Sequence, residues 1–124
     1  MMPKVSILIS VRDQLALTQK CLSMLDATLD ESISFEILIA NDGSVDGTRE
    51  FLDKLGKPYR IFHRSHSVGF GKNHNWLAEK AKGDYLLFLN NDAFVSGNWL
   101  HPMLSVFKNQ TKVGFVGNVQ RLAG

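Results

Sequence analysis

Two short strings put carboxylates where they can do chemistry. The first is Asn41-Asp42-Gly43-Ser44-Val45-Asp46-Gly47-Thr48. A carboxylate at a strand end, followed by glycine, can turn to accept a hydrogen bond from a ligand N–H such as the imide of uracil or thymine. The glycines let the backbone come close to a flat base. Read alone, Asp-Gly-Ser is more often a plain strand-to-helix turn, with Asp46 and Thr48 capping the helix. The second string is Leu89-Asn90-Asn91-Asp92. A carboxylate at the tip of a buried strand can hold Mg2+ or Mn2+, hard ions that take oxygen ligands and are completed by diphosphate oxygens and water. Such an ion neutralises charge developing on a departing nucleoside diphosphate. One carboxylate makes a weak site, so the metal is expected to arrive with the nucleotide. Taken alone, Asn-Asn-Asp reads equally well as an Asx turn.

Between them, Ser67–Asn75 (SVGFGKNHN) joins glycines to Lys72 and His74. From Lys57 to Lys82 the bases Lys57, Arg60, Arg64, Lys72, Lys80 and Lys82 meet one acid, Glu79. A basic segment beside a cleft suits an anionic ligand, and a helix N-terminus at Lys72 adds partial positive charge. Lys80 and Lys82 read better as a solvated helix face. His74 reads as a ligand contact or as a packed, hydrogen-bonded histidine, and it lacks metal-ligand spacing with His63 or His66. Trp76 and Trp99 have apolar neighbours at helical spacing and are expected in the core. Cys21 falls among leucines and is expected to be a buried hydrophobe, not a nucleophile. The sequence holds no Gly-x-Ser-x-Gly elbow, Walker loop or Cys-x-x-Cys pair.

Residues so scattered need a scaffold that gathers strand tips. The sequence alternates β-branched runs with helical periodicity. Val5–Val11 predicts a buried strand and Leu15–Leu29 a helix with Cys21, Leu22, Leu25 and Leu29 inward, capped by Asp13. Phe35–Ala40 predicts a strand, Gly47–Leu55 a short helix capped by Asp46, with Phe51, Leu52 and Leu55 inward. Tyr59–His63 predicts a third strand. Lys72–Lys82 predicts a helix showing His74, Leu77, Ala78 and Ala81 to the core, closed by Gly83. Tyr85–Leu89 is apolar throughout and is expected to be central. Ser96 to about Phe107, with Pro102 near its first turn, and Val113–Val119 predict a last helix and strand. This alternation reads as α/β with a mostly parallel sheet covered on both faces, which binds ligands outside the carboxyl ends of its strands.

The chain has 124 residues, enough for one compact domain. Its formal charge of +2 is too small to argue for nucleic acid. A single cysteine excludes an intramolecular disulfide and fits a reducing compartment. The opening apolar run, Val5–Val11, is too short to span a bilayer and is not a signal peptide.

Taken in order, Val5–Val11 (VSILISV), Phe35–Thr48 (FEILIANDGSVDGT), Val68–Asn75 (VGFGKNHN), Ala81–Asp92 (AKGDYLLFLNND), Trp99-Leu100 and Val113–Gly117 resemble family 2 glycosyltransferases over nearly the whole chain. The resemblance implies a three-layer α/β/α, Rossmann-like nucleotide-diphospho-sugar transferase (GT-A) fold. It implies a single family 2 domain over residues 1–124, truncated to the N-terminal, donor-binding portion. By the resemblance Asp42 contacts the base, and Val11 and its neighbours line the same pocket. Asn90, Asn91 and Asp92 occupy the Asp-x-Asp position. Asp92 is then the ligand of Mn2+ or Mg2+, Asn91 lies near the ribose or diphosphate, and Asn75 matches a recurrent asparagine. The nucleotide-binding set expected is Val11, Asp13, Asp42, Gly43, Ser44, Gly69, Lys72, Asn75, Asn90 and Asn91. Asn90 is neutral where the family pattern has aspartate, which looks like the rhamnosyltransferase-like branch. His74 stands where many members carry arginine. The general base is expected beyond Gly124, because Glu31 and Glu50 sit on the wrong elements.

The activity so implied is inverting transfer from a UDP- or dTDP-sugar to an acceptor hydroxyl in polysaccharide or cell-surface glycan synthesis. A glycan or lipid-linked acceptor would be held by the missing half, and nucleic acid is not an expected partner. The expected location is cytoplasmic or peripheral at the inner face of the membrane. The chain alone is expected to bind nucleotide weakly without transferring sugar. The alternative is a non-catalytic nucleotide-sugar-binding module. A signalling receiver is disfavoured, since only Asp13 follows the first strand and no lysine follows Val119. A sugar nucleotidyltransferase would need a glycine-rich arginine loop near the start. An apolar patch or open edge near Val113–Val119 is expected to favour self-association.

Overall fold

The computed structural model describes residues 5–29 and 32–91. Strands and helices alternate as β1 (Val5–Val11), α1 (Leu15–Thr28), β2 (Phe35–Asp42), α2 (Thr48–Asp53), β3 (Tyr59–Arg64), α3 (Phe70–Lys80) and β4 (Tyr85–Asn90). The strands are all parallel in the order β3-β2-β1-β4. Parallel neighbours need a crossover between them, which the helices supply.

Strand alternation sorts the side chains into two layers of core. Ile7, Ile9 and Val11 of β1, Ile37 and Ile39 of β2, and Leu87 and Leu89 of β4 pack with Cys21, Leu22 and Leu25 of α1 and Leu52 of α2. On the other face Leu8, Leu38 and Ala40 pack with Leu77 of α3, flanked by Phe62, Trp76 and Phe88. The result is the expected α/β/α sandwich. Leu25 and Leu38 are fully buried, so truncating either to alanine costs ~2–5 kcal/mol through lost contact and a residual cavity.

Several expectations are corrected. Among the described strands Tyr85–Asn90 stands at one end beside β1, and β1 and β2 carry the inner positions. Both faces of β4 meet core, Leu87 and Leu89 on one side and Leu86 and Phe88 on the other. Helix α3 starts two residues earlier than Lys72, at Phe70, and ends at Lys80, so Ala81 is its C-cap. Asp13 does not cap α1: the N-cap is Gln14 in the left-handed region, without a side-chain cap. Instead the Leu15 N–H donates to Asp46 Oδ2 at 3.2 Å, from the loop after β2. Asp46 also accepts the Thr48 N–H at 3.0 Å, but it does not stand at the N-cap of α2, which is Gly47 without a side-chain cap. The helix and strand expected after Asp92, with Trp99, Pro102 and the edge at Val113–Val119, lie outside the described residues. Among the described residues no helix is long and apolar enough to cross a membrane.

At the amino ends of the strands a buried polar knot fixes the far end of α3. Glu36 accepts from Ser6 Oγ at 2.6 Å, the Lys82 N–H at 2.7 Å and Arg60 Nη1 at 2.9 Å. Arg60 also donates to the Lys80 carbonyl at 2.9 Å. Burial opposes ionisation of Glu36, but the bonds from Ser6, Lys82 and Arg60 outweigh it and lower its pKa. Anchoring the C-terminus of α3 there holds its N-terminus at the opposite edge, where the candidate site lies.

Candidate functional site

The register brings the expected strand tips together. Val11 lies opposite Asn41, and Ser10 opposite Asn90. Neighbouring strands are about 4.8 Å apart, so the ends of β2 and β4, on either side of β1, stand roughly 10 Å from each other. The two loops singled out by sequence therefore share one edge of the sheet.

Asp42 is 4% exposed, the most buried carboxylate in this region. Its Oδ1 accepts the Val68 N–H at 2.8 Å, and its Oδ2 accepts Ser67 Oγ at 2.7 Å and the Gly69 N–H at 3.1 Å. Burial disfavours the charge, but the bonds from Val68, Ser67, Asn73 and Gly69 together win and hold the carboxyl down at about 2. Gly69 can present its N–H this way because it sits at φ 101°, which other residues rarely adopt. Gly43, at φ 72°, packs so tightly on the same loop that an added Cβ would lie 2.8 Å from the His66 carbonyl carbon and the Ser67 nitrogen.

Asp13 and Ser44 join the loops after β1 and β2. The Asp13 N–H donates to Ser44 Oγ at 2.7 Å, and Asp13 Oδ1 accepts the N–H of Val45 at 2.7 Å and of Asp46 at 3.3 Å. With the Leu15–Asp46 bond the clamp runs in both directions. Asp13 reaches Val45 because it adopts a left-handed backbone at φ 51°. Val45 itself is 91% exposed at the rim.

Sequence reasoning missed three residues that build this edge. Asn73 of α3 is fully buried; its Nδ2 donates to Ser10 Oγ at 3.1 Å, and its Oδ1 accepts from Arg64 Nε at 2.5 Å. Arg64 lies 4.1 Å over the Trp76 ring. The third is His63, which reaches Asn41. Asn73 is one helical turn before Leu77, so a polar residue on the buried face of α3 was the available signal. His63 gave none, because its partners are remote in sequence.

The remaining expected residues are spread around the same edge. Lys72 and Asn75 are exposed on α3. Asn75 lines a 310 Å³ hollow with Phe70, Gly71, His74 and Phe88. His74 is packed, 3.9 Å from the Phe70 ring and 4.7 Å from the Phe88 ring by centroid. Among the described residues neither ring nitrogen finds the expected hydrogen-bond partner, and desolvation lowers the His74 pKa to about 4. Asn90 ends β4, and Asn91 Nδ2 donates to Thr18 Oγ1 of α1 at 3.3 Å. Trp76 packs on Phe62 and is partly buried, as expected. Cys21 is buried, and its thiol donates to the Asn90 carbonyl at 3.9 Å. Asp92 lies outside the described residues, and among the described residues no group of three or more His, Cys, Asp or Glu could hold a metal ion.

A parallel α/β sheet with polar loops gathered at its carboxyl edge is the Rossmann-like architecture of GT-A glycosyltransferases. TarS of Staphylococcus aureus, solved in complex with UDP-GlcNAc, superposes with TM-score 0.76 at 19% identity, over 86% of this chain and 31% of that one. A mannosyltransferase from Pyrobaculum calidifontis, solved with GDP-Man and Mn2+, gives TM-score 0.64 at 17% identity, over 76% and 29%. The family model of glycosyl transferase family 2 matches residues 6–122, and the chain belongs to that family. Sequence relatives include EpsH of Bacillus subtilis, 27% identical over 113 residues, and the glycosyltransferase AglE of Haloferax volcanii, 29% identical over 119 residues. These matches cover 88% and 94% of this chain but only 32% and 39% of the relatives' own length.

Proposed function

We propose that this chain binds the nucleoside diphosphate of a sugar donor across the carboxyl ends of β2, β1 and β4, as the donor-binding part of an inverting glycosyltransferase. The observation that carries the reading is the arrangement of Asp42 and Asn90 on strands either side of β1, at one edge of the sheet. That Asp42 ionises at about 2 makes it an acceptor only at neutral pH, suited to the imide N–H of uracil or thymine. A carboxylate offers about four lone-pair sites, and Ser67, Val68, Gly69 and Asn73 already use them. The imide therefore takes the place of the Ser67 hydroxyl, which can leave by one side-chain rotation while the backbone donors stay. Val11, Gly43 and Ser44 flank the base. The ribose and diphosphate run toward Asn90 and Asn91, and Lys72 on the exposed first turn of α3 adds positive charge.

A divalent cation fits the oxygen donors expected here, with Asp92 as the anionic ligand and phosphate oxygens completing the set. Mn2+ or Mg2+ would neutralise charge on the leaving diphosphate. In the transfer, the acceptor hydroxyl oxygen bonds to the anomeric carbon on the face opposite the diphosphate. The bond from that carbon to the β-phosphate oxygen breaks, and its electron pair leaves with the diphosphate. The hydroxyl proton passes to a general base expected beyond Gly124. Attack and departure on opposite faces invert the configuration. The acceptor is a glycan or lipid-linked hydroxyl of cell-surface polysaccharide synthesis.

A thermal-shift panel of UDP, dTDP, GDP and ADP, each with and without Mn2+, tests the reading, because a ligand of the native state raises Tm by mass action. UDP or dTDP should stabilise most, and more with metal. Asp42→Ala should weaken uridine and thymidine nucleotides, and Asp92→Asn should remove the metal dependence. If no nucleotide shifts Tm at millimolar concentration, the site does not bind nucleotides.

A further inference from the structure

The geometry points to His63 as a positioning residue for the nucleotide site, acting through Asn41 on the Ser44 end of the loop. The inference rests on the reading of that loop as the base-binding segment. His63 of β3 lies directly opposite Asn41 of β2. Its side chain is 15% exposed, and Nε2 lies 2.6 Å from Asp53 Oδ1 of α2. Nδ1 lies 3.0 Å from Asn41 Nδ2. The Ser44 N–H donates to Asn41 Oδ1 at 3.3 Å, and Ser44 Oγ accepts the Asp13 N–H at 2.7 Å.

Only one assignment of protons satisfies this chain. The Asp53 carboxylate is an acceptor, and its pKa is lowered by the bond from His63 and the nearby Arg49. Nε2 must then carry the hydrogen. A neutral imidazole has one N–H, so Nδ1 presents its lone pair and the Asn41 amide must turn its NH2 toward it. That leaves the amide oxygen facing Ser44, where it receives the backbone N–H. The opposite amide orientation would set two donors against each other at Ser44. The ring therefore fixes the orientation of Asn41, and Asn41 fixes the turn that begins at Gly43.

The test measures affinity for UDP-glucose and dTDP-glucose by calorimetry at pH 7.5. His63→Leu removes the acceptor at Nδ1 and should weaken binding about threefold to tenfold, the loss of one hydrogen bond's worth of order. His63→Asn places an amide oxygen where Nδ1 stood and should restore the unaltered affinity. A His63→Leu variant that keeps the unaltered affinity would overturn the inference. Independently of any ligand, nitrogen-15 NMR should show the Nε2–H form of His63, and the Ser44 amide should shift in His63→Leu. An Nδ1–H form, or a Ser44 amide indifferent to that substitution, would also overturn it. If neither sugar nucleotide binds, the reading of the site fails, and the NMR result still decides the role of His63.

Discussion

Asn41 and Asp42 are adjacent in sequence and leave β2 on opposite faces of the sheet. Asn41 turns to the α1/α2 side and meets His63, while Asp42 turns to the α3 side and holds residues 67–69. One strand end thus fastens both flanking loops, and the Gly43 turn between them inherits its shape from both sides.

Asp42 should stabilise the fold in a way that acid removes. Its folded pKa, about 2, lies below its ordinary value of 3.8, so its contribution is complete above pH 4 and is lost as pH falls toward 2. The contribution is about 2 kcal/mol. Urea unfolding of the unaltered protein and Asp42→Ala, compared at pH 7 and pH 2.5, should show the gap between them shrinking in acid.

His74 sets a second, separate acid window. Its ordinary value is 6.5, and burial lowers it to about 4 in the fold. The unfolded chain then binds more protons than the folded one between these values, so stability should fall as pH drops from 6.5 toward 4, by up to about 3 kcal/mol. His74→Leu keeps the ring's apolar contacts approximately and removes the proton site. Its denaturation midpoint should be nearly constant over that range while the unaltered protein weakens.

Gly43→Ala should damage both stability and nucleotide binding. The new methyl would meet backbone atoms 2.8 Å away, and the residue would be held at φ 72°. Backbone cannot step aside as a side chain can, so a cost of ~1–3 kcal/mol is expected. A Tm decrease together with a loss of UDP-induced stabilisation would show both effects. An unchanged Tm would show that residues 66–67 yield freely.

The clamp between Asp13 and Ser44 should behave as one unit. Asp13→Ala and Ser44→Ala each remove part of the same set of bonds, at about 1 kcal/mol apiece. Residues sharing a network couple by ~0.5–3 kcal/mol, so the double variant should be less destabilised than the two effects added. A double-mutant cycle in urea that closes to additivity would show that the two loops are held independently.

The alternation of apolar runs and helical spacing was enough to read the three layers, because burying a face requires a fixed period. Val5–Val11, Phe35–Ala40 and the Leu22–Leu25 face of α1 each emerged within a residue or two. The order of the described strands did not, since an apolar run says that a strand is buried and not which strands adjoin it. Asp13 as a helix cap failed for a related reason. Local capping rules compare a residue with its next few neighbours, whereas the Leu15 N–H found Asp46 from another loop.

By itself the sequence determined the layer architecture, the family, and the two polar strings at strand ends. Composition and period are local properties, and they survive without knowledge of what folds against what. Only the tertiary structure decided that Asp42 is satisfied by residues 67–69, that Asn73 knits Ser10 to Arg64, and that His63 reads Asp53 on one side and Asn41 on the other. Hydrogen-bond partners are chosen by proximity in space, and a parallel sheet brings together residues separated by whole crossovers. The spacing along the chain therefore names the groups but leaves their pairing to the fold.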